Sequence, residues 1–442
     1  MIYDPLVSHS VSPQAPHVQS YWRDTFTPVD YPTLVNDLET DVLIIGAGYT
    51  GLSAACELGD TEGLDVTVID SHAIGFGCAG RNAGFVLSGS GRLNLSAIKE
   101  NWDLTIALGM QQEFDAAVEL VKDRVNQHNI SCDMVSGTYL KIAHNEKQAE
   151  ALCKANPLQN ETFGTATRYL DKQALYNRLP IANAYGAIEQ PGLALHPLKL
   201  IDGYARIAAS KGVRLLTHTP ALSIKSVAGG HIIATPRGTI RAKKLLIASN
   251  AYTPRHFHSL VDGRQFPVQS SILVTNKLTA QQRAATGLSK PLTMMDTRMM
   301  KFYYRTLPDG RMLFGGRGAV TGKQGDSRVS KQRLYNAMVA SFPALKESKA
   351  DYFWSGWVSV ALDNMPRIYY DDSQNIGYAM GYCGSGVSFA SLAGTRLAQR
   401  LNGKRLNQAL PIYANPLPKF PLPSLRRLGL AALYGWANLS QR

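Results

Sequence analysis

The sequence is poor in cysteine, and its cysteines follow no metal-binding or disulfide pattern. It has five cysteines in 442 residues, and none of them forms a Cys-x-x-Cys pair. Neither a disulfide framework nor a structural zinc or other metal site is therefore predicted. The cysteine content is typical of a protein from a reducing compartment.

Long apolar runs are also missing. No stretch approaches the ~20 apolar residues that a membrane-spanning helix needs. Residues 1–13 contain Asp4 and have no basic segment followed by an apolar one, so no secretory signal is predicted. We therefore expect a soluble, cytoplasmic protein, at most peripheral at the inner face of a membrane.

Acidic residues are scarce at one end of the chain. The 46 Lys and Arg exceed the 33 Asp and Glu, for a net charge of +13, and no acid follows Asp372. This surplus favours either a solvated basic end or an anionic partner, such as lipid headgroups or an acidic substrate. No nucleic-acid-binding motif accompanies it, so no nucleic-acid partner is predicted.

A glycine-rich turn follows the short apolar strand predicted at residues 41–45. The turn leads into a predicted helix, and a second strand at residues 66–69 ends at Asp70. Its three spaced glycines are Gly46, Gly48 and Gly51. This arrangement is the dinucleotide-binding fingerprint, in which the glycines admit a tight turn and a close pyrophosphate, and the acid binds a ribose. The fingerprint alone does not decide between NAD(P) and FAD.

Two further glycine-rich segments favour FAD. Residues 75–84 follow the acid closely, and Arg81 within them can neutralise pyrophosphate charge. The alternative for this segment is a flexible surface loop. Residues 381–387 lead into a late helix, whose positive N-terminus can stabilise a reduced flavin.

With these segments the chain resembles the D-amino-acid-oxidase-like (DAO) superfamily of FAD-dependent amine and amino-acid oxidoreductases. The γ-glutamylputrescine oxidoreductase-like branch is the nearest. The resemblance covers residues 21–442. The matching segments are residues 41–51, 74–84, 195–198, 248–252, 303–305 with 313–316, 354–356, 365–366 and 381–387.

The resemblance implies an α/β fold, with a Rossmann-type FAD-binding domain interleaved with a β-rich substrate domain as in glycine, sarcosine and D-amino-acid oxidases. After an arm at residues 1–37, the FAD-binding domain is expected from three separate segments and the substrate domain from two. The FAD-binding segments are 38–98, 196–262 and 352–405. The substrate-domain segments are 99–195 and 263–351, and residues 406–442 form a Pro-rich segment and a basic amphipathic helix.

The resemblance also implies which residues contact a non-covalently bound FAD. They are Gly46, Gly48, Tyr49, Thr50, Gly51, Asp70, Ser71, Gly77, Gly80, Arg81, Asn82, Ala83, Gly84, Ala221, Gly381, Gly384, Ser385, Gly386 and Val387. Cys383 lies in the last segment, and we interpret it as a buried small residue rather than a flavin attachment site. Trp354 is expected to pack near the flavin, and His196 is interpreted as a structural residue at a helix start.

The substrate is less well defined by the sequence. Tyr303, Tyr304 and Arg305 are candidates to line the pocket, with Arg305 as a carboxylate clamp, the alternative being core tyrosines and a solvated arginine. Sarcosine-oxidase-like relatives have a lysine where this chain has Ser388, and γ-glutamylputrescine-type enzymes have a histidine at Ser385. No catalytic side chain is assigned.

The implied reaction is oxidation of the C–N bond of a small amine or amino acid, of which γ-glutamyl-polyamines are one class. Hydride passes to flavin N5, the imine hydrolyses, and O2 is reduced to H2O2. One alternative is a dehydrogenase that passes electrons to quinone at a membrane surface. The other is a non-catalytic flavin-binding module.

The C-terminal residues predict an amphipathic helix. Ser424 is a candidate cap for a helix that runs to Ser440. Its apolar stripe comprises Leu425, Leu428, Ala432, Trp436 and Leu439. We expect this stripe to pack on the protein's own surface or on a second subunit, and a membrane interface is the alternative.

Overall fold

The computed structural model describes residues 3–89 and 91–440, except for the side chains of residues 438–440. Its strands are β1 (Leu38–Ile45), β2 (Val66–Ile69), β3 (Phe85–Val86), β4 (Val135–Ile142), β5 (Arg168–Asp171), β6 (Gly186–Ala194), β7 (Arg214–Leu216), β8 (Ser223–Val227), β9 (Gly230–Thr235), β10 (Gly238–Ile247), β11 (Phe266–Thr275), β12 (Leu292–Asp296), β13 (Phe302–Thr306), β14 (Met312–Arg317), β15 (Ala350–Val360), β16 (Arg367–Asp371) and β17 (Ile376–Met380). Its α-helices are α1 (Tyr21–Thr25), α2 (Tyr49–Leu58), α3 (Leu95–Asn101), α4 (Leu104–Gln127), α5 (Glu146–Phe163), α6 (Lys172–Arg178), α7 (Pro197–Ser210), α8 (Ala280–Thr286), α9 (Gly322–Gly325), α10 (Arg328–Ser341), α11 (Gly386–Leu401), α12 (Pro411–Ala414) and α13 (Arg426–Ser440).

The first sheet contains the parallel strands of the predicted nucleotide-binding unit. Its order is β16-β17-β10-β1-β2-β7, and the β8–β9 hairpin joins it at β10. β1 lies parallel to β2 and β10, which is the βαβ arrangement expected from the glycine fingerprint. Val42 and Ile44 pack under α2, α7 and α11, whereas Leu43 and Ile45 face the other side of the sheet. This central strand is therefore buried on both faces, as parallel sheets require.

The second sheet is almost entirely antiparallel and forms the wall of the substrate domain. Its order is β15-β11-β14-β13-β12-β4-β6-β3, with β5 paired to β6. Pro308, Asp309 and Gly310 form a turn sequence between two apolar runs, which predicts a hairpin. The structure confirms it, because β13 and β14 pair antiparallel across this turn. The two sheets and their helices give the expected α/β fold with interleaved domains.

Two domain boundaries differ from those expected. β15 was assigned to the FAD-binding domain, but it pairs along its length with β11 of the second sheet. α4 was assigned to the substrate domain, yet Met110, Phe114 and Val121 pack in one core with α2, α7 and α11. The sequence pattern does not reveal to which domain β15 and α4 belong, because this depends on contacts between distant segments.

The periodicity of the sequence between about residues 95 and 158 predicts helix, but a strand interrupts this stretch in the structure. β4 lies there, paired with β6 on one side and with β12 on the other. Its residues include valine, threonine, tyrosine and isoleucine, which suit a strand. The prediction was wrong at β4, since pairing with two distant strands decides its conformation.

The C-terminal helix α13 packs through the face opposite to the predicted one. Leu430 and Tyr434 are buried against Phe266 and Val268 of β11. The outward side chains of the predicted stripe are Leu425, Leu428, Ala432 and Trp436, whereas the Leu439 side chain lies outside the described residues. Trp436 is 57% exposed. Packing of the stripe on this protein's own surface was therefore a wrong expectation, because residues 430, 434 and 437 recur at an equally helical spacing.

The start of α13 and its basic residues also differ from expectation. Ser424 lies in a 3-10 turn, Pro423–Leu425, and the α-helix begins at Arg426. Arg426 donates hydrogen bonds to the carbonyl oxygens of Pro423 and Gln265, and Arg427 pairs with Asp4. Both cations are therefore engaged with the protein itself. Among the described helices, none has both the length and the apolarity to cross a membrane.

Candidate functional site

A cavity of about 970 Å³ lies between the carboxyl ends of β1 and β2 and one face of the second sheet. Ligands of open α/β sheets bind at this edge. The arm also reaches the cavity, where the buried side chain of Val11 forms part of the wall. The cavity is thus enclosed by both sheets, α4, α5 and the arm.

The glycine-rich turn closes one end of this cavity. Gly46 has a φ of +112°, and a Cβ there would lie 2.9 Å from the carbonyl carbon of Ala248. A Cβ on Gly51 would lie 1.8 Å from the Gly46 carbonyl oxygen. By contrast, a Cβ on Gly48 would have no described atom within 4 Å beyond its own neighbours. Gly46 and Gly51 therefore permit the tight βα turn, and Gly48 leaves room for a ligand at the N-terminus of α2.

The N-termini of α2 and α11 converge on the cavity. Neither helix has a side-chain cap, so their first N–H groups are available to an anion. The Thr50 hydroxyl in α2 lies 2.6 Å from the Tyr382 hydroxyl, just before α11. This hydrogen bond holds the two helix starts together although they come from opposite ends of the chain.

Asp70 organises the glycine turn from the end of β2. Its Oδ2 accepts a hydrogen bond from the Ala47 N–H at 2.8 Å, and its Oδ1 accepts one from the His72 N–H at 2.9 Å. Burial raises the pKa of the Asp70 carboxyl. Each oxygen keeps a lone pair for a hydroxyl group in the cavity, as binding to a ribose requires.

The loop at residues 75–84 forms a wall rather than a free surface loop. Arg81 Nε donates to the Phe76 carbonyl oxygen at 2.7 Å, and its guanidinium lies 4.7 Å from the centre of the Phe76 ring. Asn82 donates to the carbonyl oxygens of Cys78 and Ala79. Trp354 Nε1 donates to the Arg81 carbonyl oxygen at 2.9 Å and thus packs against this loop.

Most of the predicted cofactor residues line the cavity. They are Gly46, Gly48, Tyr49, Thr50, Asp70, Ser71, Gly77, Arg81, Asn82, Ala83, Ala221, Gly384, Ser385, Gly386 and Val387. Gly51, Gly80, Gly84 and Gly381 lie behind the wall instead. A Cβ on Gly80 or Gly84 would lie 2.1 Å from a backbone oxygen, so these glycines allow close backbone packing.

Two other interpretations from the sequence agree with the structure. Cys383 is 1% exposed, and its Sγ donates to the Gly381 carbonyl oxygen at 3.2 Å. Burial raises the pKa of this thiol, which keeps it protonated. His196 caps α7, where its Nδ1 accepts from the Lys199 N–H, and burial lowers its pKa to about 4.

Only one of the three predicted substrate residues reaches the cavity. Tyr303 lines it, and its hydroxyl lies 2.8 Å from Ser270 Oγ. Tyr304 points to the opposite face of β13, where it stacks on Phe314. Strand alternation explains this placement of Tyr304.

Arg305 shares the Tyr303 face of β13 but lies under a loop. Its Nη1 donates to the carbonyl oxygens of Ala83, Gly84 and Leu195, and the residue is 2% exposed. The expectation that Arg305 clamps a substrate carboxylate is therefore wrong, because its guanidinium already links the two domains.

Four cationic side chains that sequence reasoning missed line the part of the cavity beside Tyr303. They are Arg92, Lys141, Lys301 and Arg317. Lys301 could have been found from strand alternation, since it lies two residues before Tyr303. Lys141 lies on β4, the strand that was mistaken for helix.

The chain is similar to known flavoproteins over most of its length. The family described as DAO, FAD dependent oxidoreductase, matches residues 41–400. Gamma-glutamylputrescine oxidoreductase of Escherichia coli K12 is 29% identical over 93% of this chain and 95% of its own. A probable oxidoreductase OrdL of Rhizobium meliloti is 29% identical over 93% of this chain and 94% of its own. The crystal structure of glycine oxidase from Geobacillus kaustophilus superimposes with a TM-score of 0.70 at 20% identity, covering 84% of this chain and 97% of that one.

Proposed function

The chain belongs to the DAO family of FAD-dependent oxidoreductases, and we propose that it oxidises the C–N bond of a small amine or amino acid with O2 as the electron acceptor. Membership in this family makes the protein an FAD enzyme that acts on amines or amino acids. The finer steps of this reaction, and γ-glutamyl-amines as one substrate class, are part of the proposal. Amine oxidation, rather than flavin binding alone, is the role we expect of the cavity.

The residues around the cavity fit an FAD molecule. Two uncapped helix N-termini and the open space at Gly48 suit the pyrophosphate, and Asp70 suits the adenosine ribose. We assign the pyrophosphate to the Gly46–Gly48 turn and the flavin to the segment Cys383–Val387. Bound FAD supplies the acceptor for the hydride that leaves the carbon next to the substrate nitrogen.

The chain's own residues prepare the amine for this step. The cations beside Tyr303 produce a positive potential, which disfavours an ammonium ion and lowers the pKa of a bound amine. A neutral amine has the free electron pair that assists loss of hydride. The wall of Tyr303, Ile272 and Met295 then orients the substrate and limits water around it.

The observation that carries this proposal is that the glycine-rich dinucleotide turn and the sheet of the substrate domain line the same cavity. Anaerobic mixing of the holoenzyme with a panel of amines and amino acids tests it. At least one amine should bleach the flavin absorbance, and a rate that rises with pH supports the neutral amine as reactant. Bleaching by alcohols or 2-hydroxy acids alone would contradict the proposal.

A second candidate acceptor is quinone at a membrane surface. The exposed apolar side chains of Leu428 and Trp436 on α13 favour it. Substrate-dependent formation of H2O2 supports the oxidase, whereas reduction of a soluble quinone with little H2O2 supports the dehydrogenase. Co-sedimentation of the protein with anionic vesicles tests the membrane contact, and a cytoplasmic location stays a prediction.

A further inference from the structure

Four cations surround the end of the cavity beside Tyr303. Lys141 comes from β4, Lys301 immediately precedes β13, Arg317 ends β14, and Arg92 precedes α3. They thus come from four separate segments. Helix α13 contributes the nearby Tyr434, whose hydroxyl is buried.

The strand register places three of these cations on one face of the second sheet. Lys141 pairs with Met295, which in turn pairs with Tyr303, so these residues form one row across three strands. Phe302 pairs with Gly316. Because the strands are antiparallel, Lys301 and Arg317 lie opposite each other one position further on. Alternation along β13 and β14 puts their side chains on the Tyr303 face.

No described carboxylate pairs with any of these four cations. Arg317 Nη2 is 3.5 Å from the Cys383 carbonyl oxygen, a long contact with a neutral group. Asp296 is the acid that acts electrostatically on Lys301, but it is buried in a pair with Arg298. Asp115 also lines the cavity, and its carboxylate accepts from the Ser88 hydroxyl.

This uncompensated charge is costly to the protein. Burial lowers the pKa of Lys301 to about 8, and Lys141, Arg92 and Arg317 lower it further as like charges. Burial also lowers the pKa of Lys141. Clustered cations that face a cavity without a counter-charge indicate a binding site for an anion.

The spread of the cations indicates the size of that anion. Three strand spacings separate β14 from β4, so the backbones that carry Arg317 and Lys141 lie about 14 Å apart. Arg317 lies beside the segment Cys383–Val387 that we assign to the flavin, whereas Lys141 is on the far side of Tyr303. Four cations spread along such a row carry more positive charge than one carboxylate can neutralise, whereas a dianion matches them better.

We propose that this end of the cavity selects amines that carry two carboxylates and rejects polyamines. The proposal rests on the amine oxidation proposed above and narrows its substrate class. Lys141 and Lys301 bind the carboxylate farther from the flavin, and Arg317 and Arg92 bind the nearer one. The four cations that attract a diacid repel the extra ammonium group of a polyamine, because the charges have the same sign.

Three five-carbon compounds with matched chain lengths test the proposal on the holoenzyme. Glutarate, pentanoate and 1,5-diaminopentane are titrated by calorimetry and by the change in flavin absorbance. We expect glutarate to bind about ten-fold or more tightly than pentanoate, and the diamine not to bind. Equal binding of glutarate and diamine would overturn the proposal.

Single substitutions identify the residues responsible. Lys141→Met and Lys301→Met should each weaken glutarate binding by about ten-fold, while Lys301→Arg should retain most of it. Lys225→Met is the control, because Lys225 is exposed on β8 away from the cavity. FAD content and the melting temperature report whether each variant folds. Glutarate affinities unaffected by both methionine substitutions would also overturn the proposal.

Amine oxidation and selection of diacids can fail separately. If the flavin is bleached by neutral amines and polyamines as fast as by amino-dicarboxylates, the selection is refuted and the amine chemistry stands. If no amine bleaches the flavin while glutarate binds through Lys141 and Lys301, the anion site stands and the proposed oxidation fails.

Discussion

The hydroxyl end of the Tyr303 ring lies over Gly315, its direct partner on the neighbouring strand. A Cβ on Gly315 would come within 2.0 Å of Tyr303 Cε2. The Ser270 hydroxyl, 2.8 Å from the Tyr303 hydroxyl, anchors this same end of the side chain. Because Gly315 has no side chain, the Tyr303 ring can cover it and form an aromatic wall of the cavity. Aromatic residues cover glycines in other sheets in the same way.

Gly315→Ala should displace Tyr303. We expect a loss of about 1–3 kcal/mol in the free energy of unfolding from overpacking, together with weaker binding of glutarate. Urea unfolding and calorimetry measure the two effects. Gly435→Ala on α13 is the control: its Cβ would meet no described atom within 4 Å, so it should stabilise the helix slightly. A Gly315→Ala protein that behaves like the wild type would contradict the assigned position of the ring.

Asp70→Ala should weaken FAD binding by about 1–3 kcal/mol, because it removes the acceptor for the Ala47 and His72 N–H groups and for the ribose. Fluorescence titration of the apoprotein with FAD measures the change. Asp123→Ala, at an exposed position of α4, should leave the affinity unchanged. Equal FAD affinities for both variants would refute the role of Asp70.

Arg305→Met should destabilise the fold without changing substrate selection. The substitution removes the shared donor of three buried carbonyl oxygens. The Gly84 carbonyl oxygen keeps the Leu195 N–H, and the other two lose their donor, at a cost of about 3 kcal/mol. Urea unfolding should reveal this loss, and Arg237→Met at an exposed turn is the matched control. A normal stability with a selective loss of carboxylate substrates would instead restore Arg305 as a clamp.

Binding of glutarate should depend on the charge of Lys301. The pKa of this lysine is lowered to about 8, so the side chain is charged below pH 8 and neutral above it. The affinity for glutarate should therefore be highest below about pH 8 and fall by up to ten-fold per pH unit above it. A bound carboxylate raises the pKa of Lys301 and so moves this fall to a higher pH. Calorimetry at pH 7, 8 and 9 checks this, and Lys301→Arg should reduce the fall over that range to the part that Lys141 contributes.

Acidification should release the N-terminal arm from the FAD-binding domain. Burial lowers the pKa of His17 to about 3 and that of His72 to about 4, and His72 Nε2 contacts the Ala15 carbonyl oxygen at 2.7 Å. Groups whose folded pKa is lowered give full stability above their unfolded value of about 6.5, and this stability falls as the pH drops towards 4. Limited proteolysis of residues 3–17 between pH 7 and 4 should accelerate accordingly.

His72→Gln should reduce this pH dependence, because glutamine can bond the Ala15 carbonyl but does not titrate. His128→Gln, exposed at the end of α4, should behave like the wild type. An arm cleaved equally fast at pH 7 and pH 4 would contradict the prediction.

The sequence predicted the cofactor half of the cavity better than the substrate half. The glycine turn and Asp70 are adjacent to their strands in sequence, so local spacing places them correctly. Arg305 was misplaced because a loop from residues 83–84 covers it, and Lys141 was missed because β4 is a strand only through its pairing with β6 and β12. The prediction of which face of α13 is buried was wrong, because two faces of this helix carry apolar residues at a helical spacing.

The order of the first sheet has a consequence for biosynthesis. β1 is synthesised early, but β17 and the start of α11 follow more than 300 residues later, and they complete the same sheet and the same cavity. While the ribosome is still translating the substrate domain, the glycine turn has only part of its final surroundings. The flavin site is therefore completed only near the end of translation, and truncated chains that stop before residue 387 should emerge colourless.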